Sequence, residues 1–248
     1  MRKTIIFFFV IFLSILAYLA VYTVPKAHTL QILDSVKDYF AQKSPFKKGE
    51  RLTYEVRYNG LKVGKSILTF NGEKELNGKK VYHISFYTKV PSLKDTEEIY
   101  ADKDTFLPVE VRRKIQKKIG FSDTIVEKYD QQNFKVDISS KSKLRSKAFS
   151  IEKDGPINNA ILLAYYYRVN NKFEKDDRLE ITLPTAEFDV VFNGTDRIET
   201  PIGELDAYVF TSEPPKFELW LSTDGRYIPL KIKHPGTLGY SLVIESID

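Results

Sequence analysis

The chain has 248 residues, 42% of them hydrophobic and 13% aromatic, with a formal net charge of +5. It contains no cysteine, which excludes disulfides, thiol chemistry and acylation on an N-terminal cysteine. Of its 38 Lys and Arg, Arg2 and Lys3 precede the first apolar run; the other 36 face 33 Asp and Glu, a near balance that argues against a nucleic-acid partner.

The apolar run, Thr4 to Val24, is 21 residues without a charge. As a helix it reaches about 30 Å, enough to cross a bilayer. Arg2 and Lys3 before it predict a cytoplasmic N-terminus, with the rest of the chain on the far side. The rival reading is a cleaved signal peptide, whose apolar core is about 7–15 residues and ends in small residues. Val21-Tyr22-Thr23 is the least unsuitable cleavage site, and bulky Tyr18 and Leu19 stand close by, so an anchor in residues 1–25 is the better reading. Without cysteine, that helix is the expected membrane attachment. Within 28–43, Leu30, Leu33, Val36, Tyr39 and Phe40 fall at helical spacing, predicting a linker helix in residues 26–45 that Pro45 and Gly49 end.

From Glu50 the period becomes two. Leu52, Tyr54, Val56 and Tyr58 alternate with charged or polar residues, and Asn59-Gly60 then suits a tight hairpin. Further strands are predicted at 62–70, 80–90, 96–101, 109–118, 123–130, 134–140 and 144–151, with Asn71-Gly72 as a second turn. Asp154-Gly155-Pro156 then opens 157–169, where Ile161, Leu162, Leu163, Ala164, Tyr165, Tyr166 and Tyr167 leave no polar face. A helix of that kind is expected to be buried against the sheet. Strands resume at 178–183, 187–193, 196–200, 205–211, 216–222, 227–233 and 238–246. The fold class is therefore mainly β: one domain over 46–248, a large curved antiparallel sheet resembling a half-barrel, with one buried helix and an N-terminal transmembrane helix.

The two halves echo each other in order. Lys48–Val56 resembles Lys175–Leu183, and Phe70-Asn71-Gly72 resembles Phe192-Asn193-Gly194. Tyr100–Asp104 followed by Phe106-Leu107-Pro108 resembles Trp220–Asp224 followed by Tyr227-Ile228-Pro229. In each copy an aromatic strand reaches an Asp turn, and Pro then opens the next strand, where its missing N–H is tolerated. Duplication and convergent meander grammar both account for this.

The chain resembles an exported bacterial family known as domain of unknown function 3108. The resembling residues are Gly49–Val56 with Tyr58, Gly60 and Gly64; Leu107-Pro108; Tyr165-Tyr166-Tyr167-Arg168; Thr200–Ala207; and Trp220-Leu221-Ser222 with Asp224, Arg226 and Ile228-Pro229-Leu230. The resemblance implies a periplasmic protein with no established activity. The Asp-turn and Pro-strand unit is also similar to one in periplasmic lipoprotein carriers, which fold as half-barrels holding acyl chains against a helix.

Chemistry is sparsely signalled. His28, His83 and His234 lie apart with no metal-ligand spacing, so no metal or cofactor is expected. No nucleophile elbow or phosphate-binding glycine loop occurs. Asn193-Gly194-Thr195 matches a glycosylation sequon but reads better as a turn. Glu97-Glu98 and Asp176-Asp177 are neighbours pointing to opposite strand faces and read as solvated charge. Two basic stretches stand out: Arg112-Arg113-Lys114 with Lys117-Lys118, and Lys141, Lys143, Arg145 and Lys147, whose every-other spacing would align four cations on one strand face. They suit either a solvated edge or anionic lipid head groups, with Arg112, Arg113, Lys143 and Arg145 as the contacts.

The expected function is non-catalytic: a membrane-anchored periplasmic module binding an apolar or amphiphilic envelope ligand, a lipid or lipoprotein, through Leu162, Tyr165, Tyr166 and Trp220. The alternative is a structural or protein-interaction domain whose sheet is filled by its own side chains.

Overall fold

The structure is a computed structural model that describes residues 46–169, 173–174, 177–234 and 240–248. The expected transmembrane segment and the 28–43 helix lie outside the described residues. None of the described helices is long and apolar enough to cross a membrane.

Among the described residues fourteen strands form one sheet, every pair antiparallel. The first eight are β1 (Arg51–Tyr58), β2 (Leu61–Leu76), β3 (Lys79–Val90), β4 (Leu93–Asp102), β5 (Pro108–Lys117), β6 (Asp123–Asp130), β7 (Lys135–Ser142) and β8 (Ser146–Glu152). After α1 (Leu163–Val169), the single helix among the described residues, come β9 (Arg178–Leu183), β10 (Ala186–Thr200), β11 (Gly203–Glu213), β12 (Glu218–Ser222), β13 (Pro229–Lys233) and β14 (Tyr240–Ile247). Each group is a simple meander. Pairing of β1 with β14 joins the two, so the spatial order runs β8 to β1 and then β14 to β9.

The sheet curls. β8 and β10 are twelve strand steps apart in that order. At about 4.8 Å per step they would stand roughly 58 Å apart if the sheet were flat. Yet Lys153, one residue past β8, pairs with Glu187 of β10 at 2.8 Å. The segment between β8 and β9 spans the gap: Gln131 bonds both N and O of Ile157, and Asn158 N donates to Thr182 O of β9.

Alternation builds the concave lining. Leu52, Tyr54 and Val56 are at most 1% exposed, because they share one face of β1 and turn it inward. Two predicted details differ. Asn71-Gly72 is not a hairpin turn but a bulge inside β2, where the register to β3 slips and Gly72 takes φ 87°. The positive φ that suits a turn equally suits a bulge. The hairpin instead closes at Asn77-Gly78, both left-handed. Likewise the predicted strands 187–193 and 196–200 are one strand, β10, bulged at Asn193-Gly194 with Gly194 at φ 98°.

The two bulges correspond: Asn71 Nδ2 reaches Ser85 Oγ at 3.0 Å, and Asn193 Nδ2 reaches Thr211 Oγ1 at 2.7 Å. The proline turns correspond too. Phe106 and Tyr227 sit at φ 58° and 51°, and the bonds Asp102 N to Leu107 O and Ser222 N to Ile228 O are each 2.9 Å. In both, the register slips by one residue just after the proline that opens the strand, at Val109 and at Leu230.

The helix is shorter than the 157–169 expected. Residues 157 and 158 spend their backbone groups on Gln131 and β9, and Asn159 then caps: its Oδ1 accepts from Ile161 N at 2.9 Å and Leu162 N at 3.4 Å. The basic run 141–147 is likewise no strand face. Ser142 N bonds Arg145 O at 2.8 Å, closing a hairpin, so the four cations surround its tip.

Candidate functional site

α1 lies across the concave face and splits its packing in two. Tyr165 and Val169, one turn apart, enter the larger core cluster, while Leu163 and Tyr167 enter a second with Phe210, Leu219 and Ile181. Tyr165 sits in a cage of Phe46, Phe70 and Phe106, ring centroids 5.0, 6.1 and 5.5 Å away. Arg168 ends the helix in a two-point pair with Glu50, Nη2 donating to Oε2 at 2.8 Å, while its Nε donates to Arg226 O at 3.2 Å. Buried pairs of this geometry fix register, and removing one partner typically costs about 3–5 kcal/mol. Tyr54 adds a hydroxyl bond to Pro229 O at 3.0 Å.

Beneath the start of α1 lies an apolar cavity of about 170 Å³. Ile161, Leu163 and Ala164 line it from the helix side, and Leu68, Phe86 and Leu219 from the sheet. Lys216, Lys233, His234 and Tyr240 border it at one end. Burial, with Lys216 nearby, holds the His234 pKa below its ordinary value. An engineered cavity of about 150 Å³ takes a benzene molecule. This one therefore suits an aromatic ring or a short length of acyl chain.

The same concave face carries a charged cluster. Asp95 and Glu97 on β4, Arg113 on β5 and Glu127 on β6 share it, because alternate residues of paired strands point one way. Arg113 clamps Asp95, with Nε at 3.0 Å from Oδ1 and Nη2 at 2.5 Å from Oδ2. Tyr129 donates to Glu127 Oε2 at 2.5 Å. Burial pushes the Glu97 carboxyl up to about 7, Arg113 opposes this, and Asp95 and Glu127 add to it. Burial raises Glu127 also. Glu97 is thus no solvated charge: at 8% exposed it is part of the interior. Its neighbour Glu98 faces outward and bonds His83 Nε2, whose ring stacks on Tyr100 at 5.0 Å. Among the described residues no group of three or more His, Cys, Asp or Glu is arranged to hold a metal ion.

The expected ligand residues scatter around the cavity rather than lining it. Leu162 and Tyr166 border a separate hollow of about 50 Å³ with Phe106 and Leu179. Tyr165 is packed into its aromatic cage. Trp220 projects from the face opposite Leu219 and Leu221, with the Lys231 ammonium 4.6 Å from its ring and its buried indole N–H without an acceptor among the described residues. Of the expected head-group contacts, Arg113 is held inside by Asp95. Arg112 faces out, paired with Glu110 at 2.5 Å and lying over the Tyr100 ring. Lys143 and Arg145 stand at the β7–β8 tip, Lys143 5.3 Å from the Phe121 ring.

Among the described residues a single antiparallel sheet curls around one short helix with an apolar hollow beneath it, and this defines a β-barrel-like protein. The chain belongs to the family described as protein of unknown function DUF3108, which it matches over residues 53–244. Its fold is similar to that of a β-barrel-like protein of domain of unknown function DUF1849 from Brucella abortus, with a TM-score of 0.51 and 9% identity over 81% of this chain and 97% of that one. A protein described as exported, with a YmcC-like fold, from Bacteroides fragilis aligns over 82% of this chain and 97% of its own at 10% identity and a TM-score of 0.33. No curated protein matches.

Proposed function

We propose that the protein is a non-catalytic binding module of the bacterial envelope, taking a small apolar group or the end of an acyl chain into the cavity beneath α1. The carrying observation is that cavity: about 170 Å³ and apolar through its body, with Lys216 at one end beside the Lys233–Glu218 ion pair. The uncharged run Thr4–Val24 supports a domain held at the inner membrane on its periplasmic side, and cleavage of that run would leave it soluble in the periplasm. N-terminal sequencing of the mature protein decides between the two. The corresponding bulges and proline turns support an origin of the sheet by duplication.

The test of ligand binding is native mass spectrometry of the full chain purified in mild detergent, with octanoate titration. Wild type is expected to carry an apolar adduct or bind octanoate. Ala164→Leu, which narrows the cavity, is expected to weaken that binding at least tenfold while melting cooperatively. Wild type with no adduct and no octanoate binding would end the proposal. One observation favours a second reading, a structural or protein-interaction domain: Phe46, Phe70, Phe106 and Tyr165 already fill much of the interior. That reading predicts the empty result.

A further inference from the structure

Strand direction alternates along each meander, so the turns β1–β2, β3–β4, β5–β6 and β7–β8 stand in a row at one end of the sheet. From β1 to β8 that row is about 34 Å long. Its tips are apolar. Leu61, Ile119 and Leu144 are 73%, 72% and 73% exposed, and Phe121 is 42% exposed. Single exposed leucines are ordinary, but four large apolar side chains on three turns of one end are not scattered.

Cations fill the spaces between the tips. A groove of about 770 Å³ along the ends of β2 to β5 is lined by Lys62, Lys65, Lys89, Lys94, Lys117 and Lys118 over a floor that includes Val63, Val90 and Leu93. Its walls come close because Gly64 lacks a side chain: a Cβ there would meet Lys89 O at 2.2 Å. Lys62, Lys65 and Lys117 have carboxylate partners. Lys89, Lys94, Lys118, Lys143 and Arg145 have no carboxylate at ion-pairing distance among the described residues. At the other end of the same meander the turns carry Asp102, Asp104 and Asp130 beside Lys79, Lys103 and Lys135, and among the described residues no large apolar side chain is exposed there.

We infer that this end of the sheet docks on the anionic surface of a lipid bilayer, lysines meeting the phosphates and Leu61, Ile119, Phe121 and Leu144 entering the interface. The mixture selects the partner. Aliphatic tips have no use against a polyphosphate chain, and tips separated by ammonium groups make a poor continuous protein interface. A bilayer surface accepts both at once, apolar groups below and cations at the head groups. The end of the cavity bordered by Lys216 and His234 lies at this same end of the sheet, since both sit where β11 and β13 finish. The inference stands whether or not the cavity takes a ligand.

The absence of cysteine makes a direct test available. In the full chain, Leu61→Cys, Ile119→Cys and Leu144→Cys are labelled one at a time with a polarity-sensitive fluorophore, with Ile202→Cys at the opposite end as the control. Each is reconstituted with phosphatidylcholine alone or with an equal mixture of phosphatidylcholine and phosphatidylglycerol. Any tethering by the N-terminal segment is common to both lipids, so the difference reads this end of the sheet. The three tip labels are expected to shift to the blue on the anionic mixture, lose the shift in high salt, and lose it in the double change Lys89→Glu with Lys118→Glu. Circular dichroism melting confirms that each variant is folded. Tip labels that stay wet on both lipids would overturn the inference and leave a protein as the occupant. A shift shared equally by Ile202, or untouched by charge reversal, would also overturn it. Octanoate binding by the same variants is expected to be unchanged, which separates this test from that of the cavity.

Discussion

Glu97 holds an unusual position for a carboxylate, walled in by Asp95, Arg113 and Glu127 on the concave face. Unfolded, it titrates near 4.5; folded, burial moves it to about 7. Between those values the folded protein binds the extra proton, so stability is fullest below about 4.5 and falls as pH rises through 7. Glu127, raised by burial, acts in the same sense. Glu97→Gln is therefore expected to flatten the pH dependence and to exceed wild-type stability at pH 8 by on the order of 1–3 kcal/mol, read from urea unfolding at pH 5 and 8. An unchanged slope would show that Glu97 is not the group responsible. Part of this was legible in the sequence: Asp95, Glu97 and Ile99 alternate, and an inward Ile99 carries the two acids inward with it. What the sequence lacks is the partner. Arg113 is eighteen residues away and meets Asp95 only because β4 and β5 pair in one particular register.

At the scale of elements, the helix shows how far apolar pattern reaches. The 157–169 stretch reads as one buried helix, yet its first residues bond Gln131 and β9, and only Asn159 starts the turn. Asn159→Ala is expected to cost about 1 kcal/mol of unfolding free energy, with Asn159→Ser recovering most of it. Equal losses for Ala and Ser would mean the cap does not matter. The bulges teach a related lesson. Asn-Gly marks positive φ, and whether the chain then reverses or merely kinks depends on what the next residues pair with. Residues 73–76 pair with 79–82 of β3, so β2 runs on to Asn77-Gly78. The shift of the ligand face has a similar origin. Tyr165 and Tyr166 are the conspicuous residues of α1, but Phe46, Phe70 and Phe106 occupy the space around Tyr165, and the hollow opens beside the smaller Ala164 and Leu163.

Over the whole molecule, the first and last strands meet at the centre. Arg51 and Asp248 exchange backbone bonds of 3.0 and 2.9 Å, so β1 and β14 have neighbours on both sides. β8 stands at the edge with one partly buried residue in seven. Amide exchange is expected to be slowest in β1 and β14 and fastest in β8, where few apolar contacts oppose local opening. Equal protection in β8 and β1 would contradict that ordering. Strand identity, the antiparallel class, the buried helix and the two matching half-patterns were readable from the chain, because period-two alternation and turn residues act over a few positions. The joining of β1 to β14, the curl that brings Lys153 to Glu187, the burial of Glu97 and Arg113, and the assembly of apolar tips and lysines at one end were decided by tertiary structure. Each depends on which strands pair and how the sheet bends, and those long-range choices leave no local mark in the residues that obey them.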